Sequence, residues 1–224
     1  MRLKLIAAGL LAIIIVVLFA PQRKWDKYYK NKMGKPPHQI IVNALGSFQT
    51  HSMAIDLGCG VGNDALLLLN QGWSVWAIDS EPKAIQILKK RAGSTEKLNV
   101  VAQKFEQESL WKTLPNADLI YAIHALPFCK QAEFRKVWDN IKLHLLPNGR
   151  FAGHFFGTCY RGFSDKEMAS MTFMNKEDIL ELFQDFDVEF FSEVEEDSYS
   201  GTGRPIHSHI FEVIAQKKKV SYGN

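Results

Sequence analysis

The chain has 224 residues, 46% of them hydrophobic and 23% charged, with a formal net charge of +3. That is the length of one domain with a substantial core, and its ordinary Gly and Pro content excludes collagen-like and disordered chains. Three cysteines without a C-x-x-C pairing (Cys59, Cys129, Cys159) exclude a disulfide framework and a zinc cluster, and point to a reducing compartment.

The charge is unevenly spread. Residues 23–35 carry a local +5, Arg2 and Lys4 add +2 and Lys217–Lys219 add +3, which leaves −7 on the rest of the chain. An acidic body lacks the basic face that nucleic-acid binding requires, so no nucleic-acid partner is expected.

In chain order, residues 5–20 form an unbroken apolar run, LIAAGLLAIIIVVLFA. As a helix it is roughly 24 Å long, short of the ~30 Å hydrocarbon core by an amount that snorkelling by Lys4 and Arg23 can close. The alternative is a cleaved signal peptide, whose cleavage site would place bulky Leu18 where a small residue is wanted. Residues 1–22 are therefore expected as a single-pass anchor in the inner or plasma membrane. The excess of basic residues after the run puts the following domain in the cytoplasm. Residues 23–37 read as a basic linker, drawn to anionic headgroups and ended by Pro36-Pro37. The domain is expected over 38–217, with 218–224 as a tail.

Within that domain a short helix at 38–48 precedes an alternation of apolar runs and helical patterns. Strands are expected at 53–57, 74–79, 98–104, 117–123 and 149–156, with helices at 62–71, 81–92 and 130–145. Such alternation implies a mostly parallel sheet with helices on both faces. Residues 157–175 have no clear period, and 176–184 read as a helix. Two strands at 186–195 and 209–216 follow, joined by a Gly- and Pro-containing linker from Asp197 to His207. They suggest an antiparallel hairpin closing a seven-stranded Rossmann-like sheet.

The chemistry concentrates at Ala54-Ile-Asp-Leu-Gly-Cys-Gly-Val-Gly-Asn-Asp64, a strand running through a glycine turn into a helix. Gly58, Gly60 and Gly62 permit a tight turn and close approach of a ligand. Alone, the pattern also fits a dinucleotide fold. Asp56, before the turn, would repel a pyrophosphate and suits a ligand with positive charge. Asp79 ends the next strand, where an acidic side chain accepts hydrogen bonds from ribose hydroxyls. A ribose, no pyrophosphate and a cationic centre together fit S-adenosylmethionine.

AIDLGCGVGND followed by WAIDSEPKAI resembles the nucleotide-binding half of class I S-adenosylmethionine-dependent methyltransferases. More narrowly, the chain is similar to the tellurite-resistance methyltransferase-like branch. That match is carried by Trp25-Asp-Lys-Tyr-Tyr with Lys35-Pro-Pro, Leu126-Pro-Phe-Cys129, Leu146-Pro-Asn-Gly-Arg-Phe-Ala-Gly153 with Phe156-Gly157, and Met171-Thr-Phe173. The resemblance covers about residues 25–217.

It implies that Gly58, Cys59 and Gly60 lie against the methionine part of the cofactor and that Asp56 orients its amino group, directly or through water. Asp79 would bind the ribose, with Ser80 beside the adenine. The acidic residue that usually ends the third strand is replaced by Lys104, leaving Glu106 to substitute or Phe105 to pack on the adenine. Ile123 and His124 would lie near the transferable methyl, and His124 is the best-placed general base. Its alternative is a packing histidine, since methyl transfer mainly needs alignment.

Tyr160, Arg161 and Arg204 are candidates for contact with a small-molecule acceptor, one that the tether would place at the membrane. His207 and His209 share a strand face without a third ligand, so no metal is expected, and Cys129 reads as a buried small residue. Two other functions stay open. One is a non-catalytic, membrane-tethered cofactor-binding module, hinted at by Lys104; the other is an NAD-dependent oxidoreductase. The oligomeric state is not legible.

Overall fold

Near-continuous apolar runs form strands covered on both faces, and five of them build the parallel part of the sheet. They are β1 (Met53–Leu57), β2 (Ser74–Asp79), β3 (Leu98–Ala102), β4 (Ala117–Ala122) and β5 (Leu145–Gly157). A computed structural model describes residues 25–50 and 52–219. Strand β6 (Phe173–Met174) pairs with the end of β5, and β7 (Phe186–Tyr199) and β8 (Pro205–Lys217) form the antiparallel hairpin. The strand order is β3-β2-β1-β4-β5-β8-β7, with β6 off this path. Order reverses between β1 and β4, and that reversal opens a crevice at the carboxyl ends of the strands.

The helical residues 25–32 (α1) and α2 (Gln39–Leu45) precede the sheet. The crossovers are α3 (Asn63–Asn70), α4 (Pro82–Ala92), α5 (Glu108–Trp111) and α6 (Gln131–His144). Pro82 starts α4 where its missing N–H costs nothing. Short helices α7 (Asp165–Met168) and α8 (Lys176–Leu182) lie between β5 and β7. Ser164 and Glu167 cap α7 reciprocally. On one face of the sheet, Trp138 of α6 packs among Phe151, Phe155, Phe183 and Phe186. On the other face lie Ile41, Ala44, Leu68, Trp73 and Leu88, all buried.

The Rossmann-like sheet with its C-terminal antiparallel pair is as the sequence implies, with three differences. An eighth strand, the two-residue β6, arises in the stretch that has no period. The hairpin strands run to Tyr199 and restart at Pro205, so the linker expected from Asp197 to His207 shrinks to a turn. Its outer face carries the ion pairs His207–Glu195, His207–Asp197 and His209–Glu193, so the charge run from Glu193 to Asp197 is strand. Residues 25–32, expected within a linker, are helical. The anchor expected over residues 1–22 lies outside the described residues, among which no helix is long and apolar enough to cross a membrane.

Candidate functional site

A cavity of about 530 Å³ opens at the carboxyl ends of the parallel strands, between the glycine turn, α1 and the β7–β8 hairpin. Clefts of this size suit small ligands and cofactors. The turn is fixed by backbone bonds: Gly58 and Cys59 donate their N–H groups to the Ile78 carbonyl at 2.8 and 2.9 Å. Gly60 donates to Asp79 Oδ2 at 2.8 Å, and Glu81 donates to Asp79 Oδ1 at 2.9 Å. Burial raises the Asp79 carboxyl above its usual range, and these two N–H groups oppose the rise. Each carboxylate oxygen keeps further accepting capacity toward a ligand.

The three glycines answer to different demands. Gly60 has φ +52° and a Cβ there would enter open space, so the backbone is a bare cradle wall. Gly58 has φ +83° and its Cβ would fall 2.4 Å from the Ala125 Cβ, so the loop after β4 requires glycine. Gly62 caps α3 with φ +79°, and its Cβ would strike Leu88 Cδ1 at 2.3 Å. Gly58 and Gly60 line the cavity; Gly62 serves helix packing and does not. Cys59 is buried beside them, and its thiol is pushed up by burial and by Asp56.

Asp56 is likewise beneath the cavity wall. It is 4% exposed and sits opposite Tyr121 on β4. Burial and Asp64 push its carboxyl well above the usual range, against the pull of the Tyr121 hydroxyl. The charge argument against a pyrophosphate therefore passes from Asp56 to Asp79, Glu106 and Glu196, the carboxylates that do line the cavity. Ser80, Lys104, Phe105 and Ile123 also line it.

His124 follows Ile123 at the cavity wall with φ +51°, a conformation costly for a side chain with a Cβ. Its imidazole is pushed well below its ordinary value by burial, with His154, His38 and Lys32 adding to the effect. Across the cavity, Tyr160 stacks on Phe156 with centroids 4.2 Å apart and planes 9° apart. Phe163 stacks beyond it at 5.6 Å. The Arg204 guanidinium lies 4.6 Å from the Phe163 centroid and 3.3 Å from Glu167. Tyr160 and Arg204 line the cavity, whereas Arg161 does not: it donates to the carbonyls of Thr158 and Tyr160 and bridges to His207.

Sequence reasoning missed one wall. Trp25, Tyr28, Tyr29 and Lys32 of α1 line the cavity, and their i, i+3, i+4, i+7 spacing marks a single helical face. Tyr29 packs on Val61 of the glycine turn and Ala84 of α4. The partnership of His124 with His154 and His38 was also missed, because the three lie far apart in sequence. At the outer face of the hairpin, Cys159 and Glu195 supply ligand-type atoms within 4.8 Å of His209, the further ligands that the sequence did not reveal. His209 is already engaged, with Cys159 N at 3.2 Å from Nδ1 and Glu193 at 3.0 Å from Nε2.

Comparison with known proteins agrees with this architecture. Residues 55–151 match the family model described as a methyltransferase domain. An uncharacterized protein of Haemophilus influenzae is 30% identical over 110 residues, which is 46% of this chain and 40% of that one, so the chain spans less than half of that relative. The structure of TehB from Haemophilus influenzae superposes with a TM-score of 0.68 at 18% identity, over 87% of this chain and 67% of that one. A Burkholderia thailandensis 1,6-didemethyltoxoflavin-N1-methyltransferase, solved with S-adenosylhomocysteine bound, gives 0.64 at 19% identity over 95% and 89%. The match to a methyltransferase domain covers less than half of the chain, while the folds are alike over most of it. The fold is TehB-like.

Proposed function

We propose that the protein transfers a methyl group from S-adenosylmethionine to a small-molecule acceptor. The observation that carries this reading is the cradle at Gly60 and Asp79, where a bare backbone and a half-buried carboxylate border the same cavity. The cofactor supplies a methyl group activated on a sulfonium. In this reading Asp79 accepts from the ribose hydroxyls, Gly58 and Gly60 admit the methionine part, and Ser80, Phe105 and Glu106 flank the adenine. Asp56, Cys59 and Gly62 act from below by holding the turn in shape. The aromatic stack of Phe156, Tyr160 and Phe163, with Arg204 at its end, supports a small acceptor with a planar face and a hydrogen-bond acceptor or negative group.

We further infer that residues 5–20 tether the domain to the cytoplasmic side of the inner or plasma membrane, which would favour a lipid-associated acceptor. Incubation of the protein with methyl-labelled cofactor and a small-molecule extract tests the activity. Label is expected in a low-molecular-weight product, and label confined to protein or nucleic acid would overturn the reading. Removal of residues 1–22 should slow transfer to membrane-borne acceptors and spare soluble ones; equal rates count against the tether.

A further inference from the structure

His124 does not stand alone at the cavity. Its Nδ1 is 3.3 Å from Nδ1 of His154 on β5, and His154 Nε2 is 3.1 Å from Glu212 Oε1 on β8. His154 is 3% exposed, and the far oxygen of Glu212 accepts from the Ser192 hydroxyl at 3.3 Å. The hydrogens are assigned from these distances and from the chemistry of the groups, the His154 Nε2–Glu212 pair being an ion-pair contact outside hydrogen-bond geometry. An ionised carboxylate can only accept, so His154 carries its hydrogen on Nε2 and its Nδ1 is a bare acceptor. His124 must then donate from Nδ1, which leaves its Nε2 with the free lone pair.

We propose that Glu212, His154 and His124 form a proton relay, with His124 as the catalytic base and His154 and Glu212 as positioning residues, and that the acceptor is a nucleophile with a proton to lose: a hydroxyl, thiol or N–H group. The inference rests on the methyltransferase reading. In the step, the acceptor heteroatom forms a bond to the methyl carbon as the carbon–sulfonium bond breaks, and the sulfur keeps that electron pair. The acceptor proton passes to His124 Nε2, the Nδ1 hydrogen of His124 moves to His154 Nδ1, and the Nε2 hydrogen of His154 moves to Glu212. An anionic acceptor would need none of this.

The groups facing the relay favour a neutral resting base. His38, whose Nδ1 lies 2.8 Å from Asp64, places its ring 5.7 Å from that of His124, and Lys32 adds positive charge from α1. Asp64 and Glu212 act on His154 in the opposite sense.

Long-range proton–nitrogen spectra of the full chain, with 15N-labelled histidine, read the tautomers directly at pH 7. His124 is expected as the Nδ1–H tautomer with a pyridine-like Nε2, and Glu212→Gln is expected to mix the tautomers of both rings. If that variant fails to bind S-adenosylhomocysteine, Ser192→Ala is the milder perturbation and should shift the His154 signals. A cationic His124 at pH 7, an Nε2–H tautomer, or a pattern unchanged in the variants would overturn the relay. Turnover of iodide, with none of any phenol, thiol or amine, would overturn the acceptor class. Failure of the wild-type protein to bind S-adenosylhomocysteine sinks the methyltransferase reading instead and leaves the tautomer result intact.

Discussion

At the residue scale, the glycine turn separates two effects that sequence alone merges. Gly58→Ala forces a side chain into φ +83° and into the Ala125 methyl at 2.4 Å, so it should destabilise the fold by about 2–4 kcal/mol. Gly60→Ala has only the backbone cost of about 1–2 kcal/mol, because its Cβ meets nothing. That methyl would intrude on the ligand's path, so Gly60→Ala should weaken cofactor affinity at least tenfold while remaining folded. Thermal melts and calorimetric titration of both variants check the contrast; equal melting points would contradict it.

Titration at the same scale has a definite sign. His124 and His154 are held below their ordinary value of 6.5, chiefly by burial. The unfolded chain therefore binds more protons at these sites, and stability falls as the pH drops below about 6.5. Glu212, depressed by His154, adds a loss at lower pH. His207 is raised by Glu195 and Asp197 and contributes oppositely, with stability present below 6.5 and lost as pH rises. Its pairs are exposed and screened, so the buried histidines decide the direction. The melting temperature should drop between pH 7 and pH 5, and His124→Asn should flatten that drop. Asn tolerates the left-handed backbone, which keeps the comparison clean.

At the scale of elements, α1 is the cover of the cavity. It reaches from the glycine turn, through Tyr29 on Val61, to the hairpin turn, where Asn31 donates to the Gly201 carbonyl at 3.2 Å. Tyr29 is 3% exposed, so Tyr29→Ala should cost about 3 kcal/mol and should also weaken adenosyl-ligand binding severalfold. A variant that melts lower but binds as tightly would reduce α1 to a structural helix. Legibility differs between elements for a physical reason. Strands β1 and β2 are readable to the residue because both faces are buried and their apolar runs stop at turns. Strand β7 is largely exposed, so its charged outer face hides the last residues of the strand. The helix α1 follows an apolar run and is dense in lysine, and its aromatic face is visible only once a cavity is known to need a wall.

At the scale of the whole molecule, the β1–β4 reversal brings together groups from five segments: α1, the glycine turn, the end of β2, the loop after β4 and the hairpin. The local pieces, Gly58, Gly60 and Asp79, are legible because spacing along one strand–turn–helix unit encodes them. The relay is not, because His124, His154 and Glu212 meet only through the β4–β5–β8 pairing. Asp56, Gly62 and Arg161 were legible as residues of interest and lie off the cavity wall; sequence does not say which side of a backbone faces a ligand.

The account depends most on the cofactor cradle. Calorimetric titration of the protein with S-adenosylhomocysteine, and separately with NAD, tests it. Micromolar binding of the adenosyl ligand is predicted. In Asp79→Ala that binding should weaken about 10- to 100-fold, the cost of hydrogen bonds to a charged group. Binding of NAD with none of the adenosyl ligand would contradict the account.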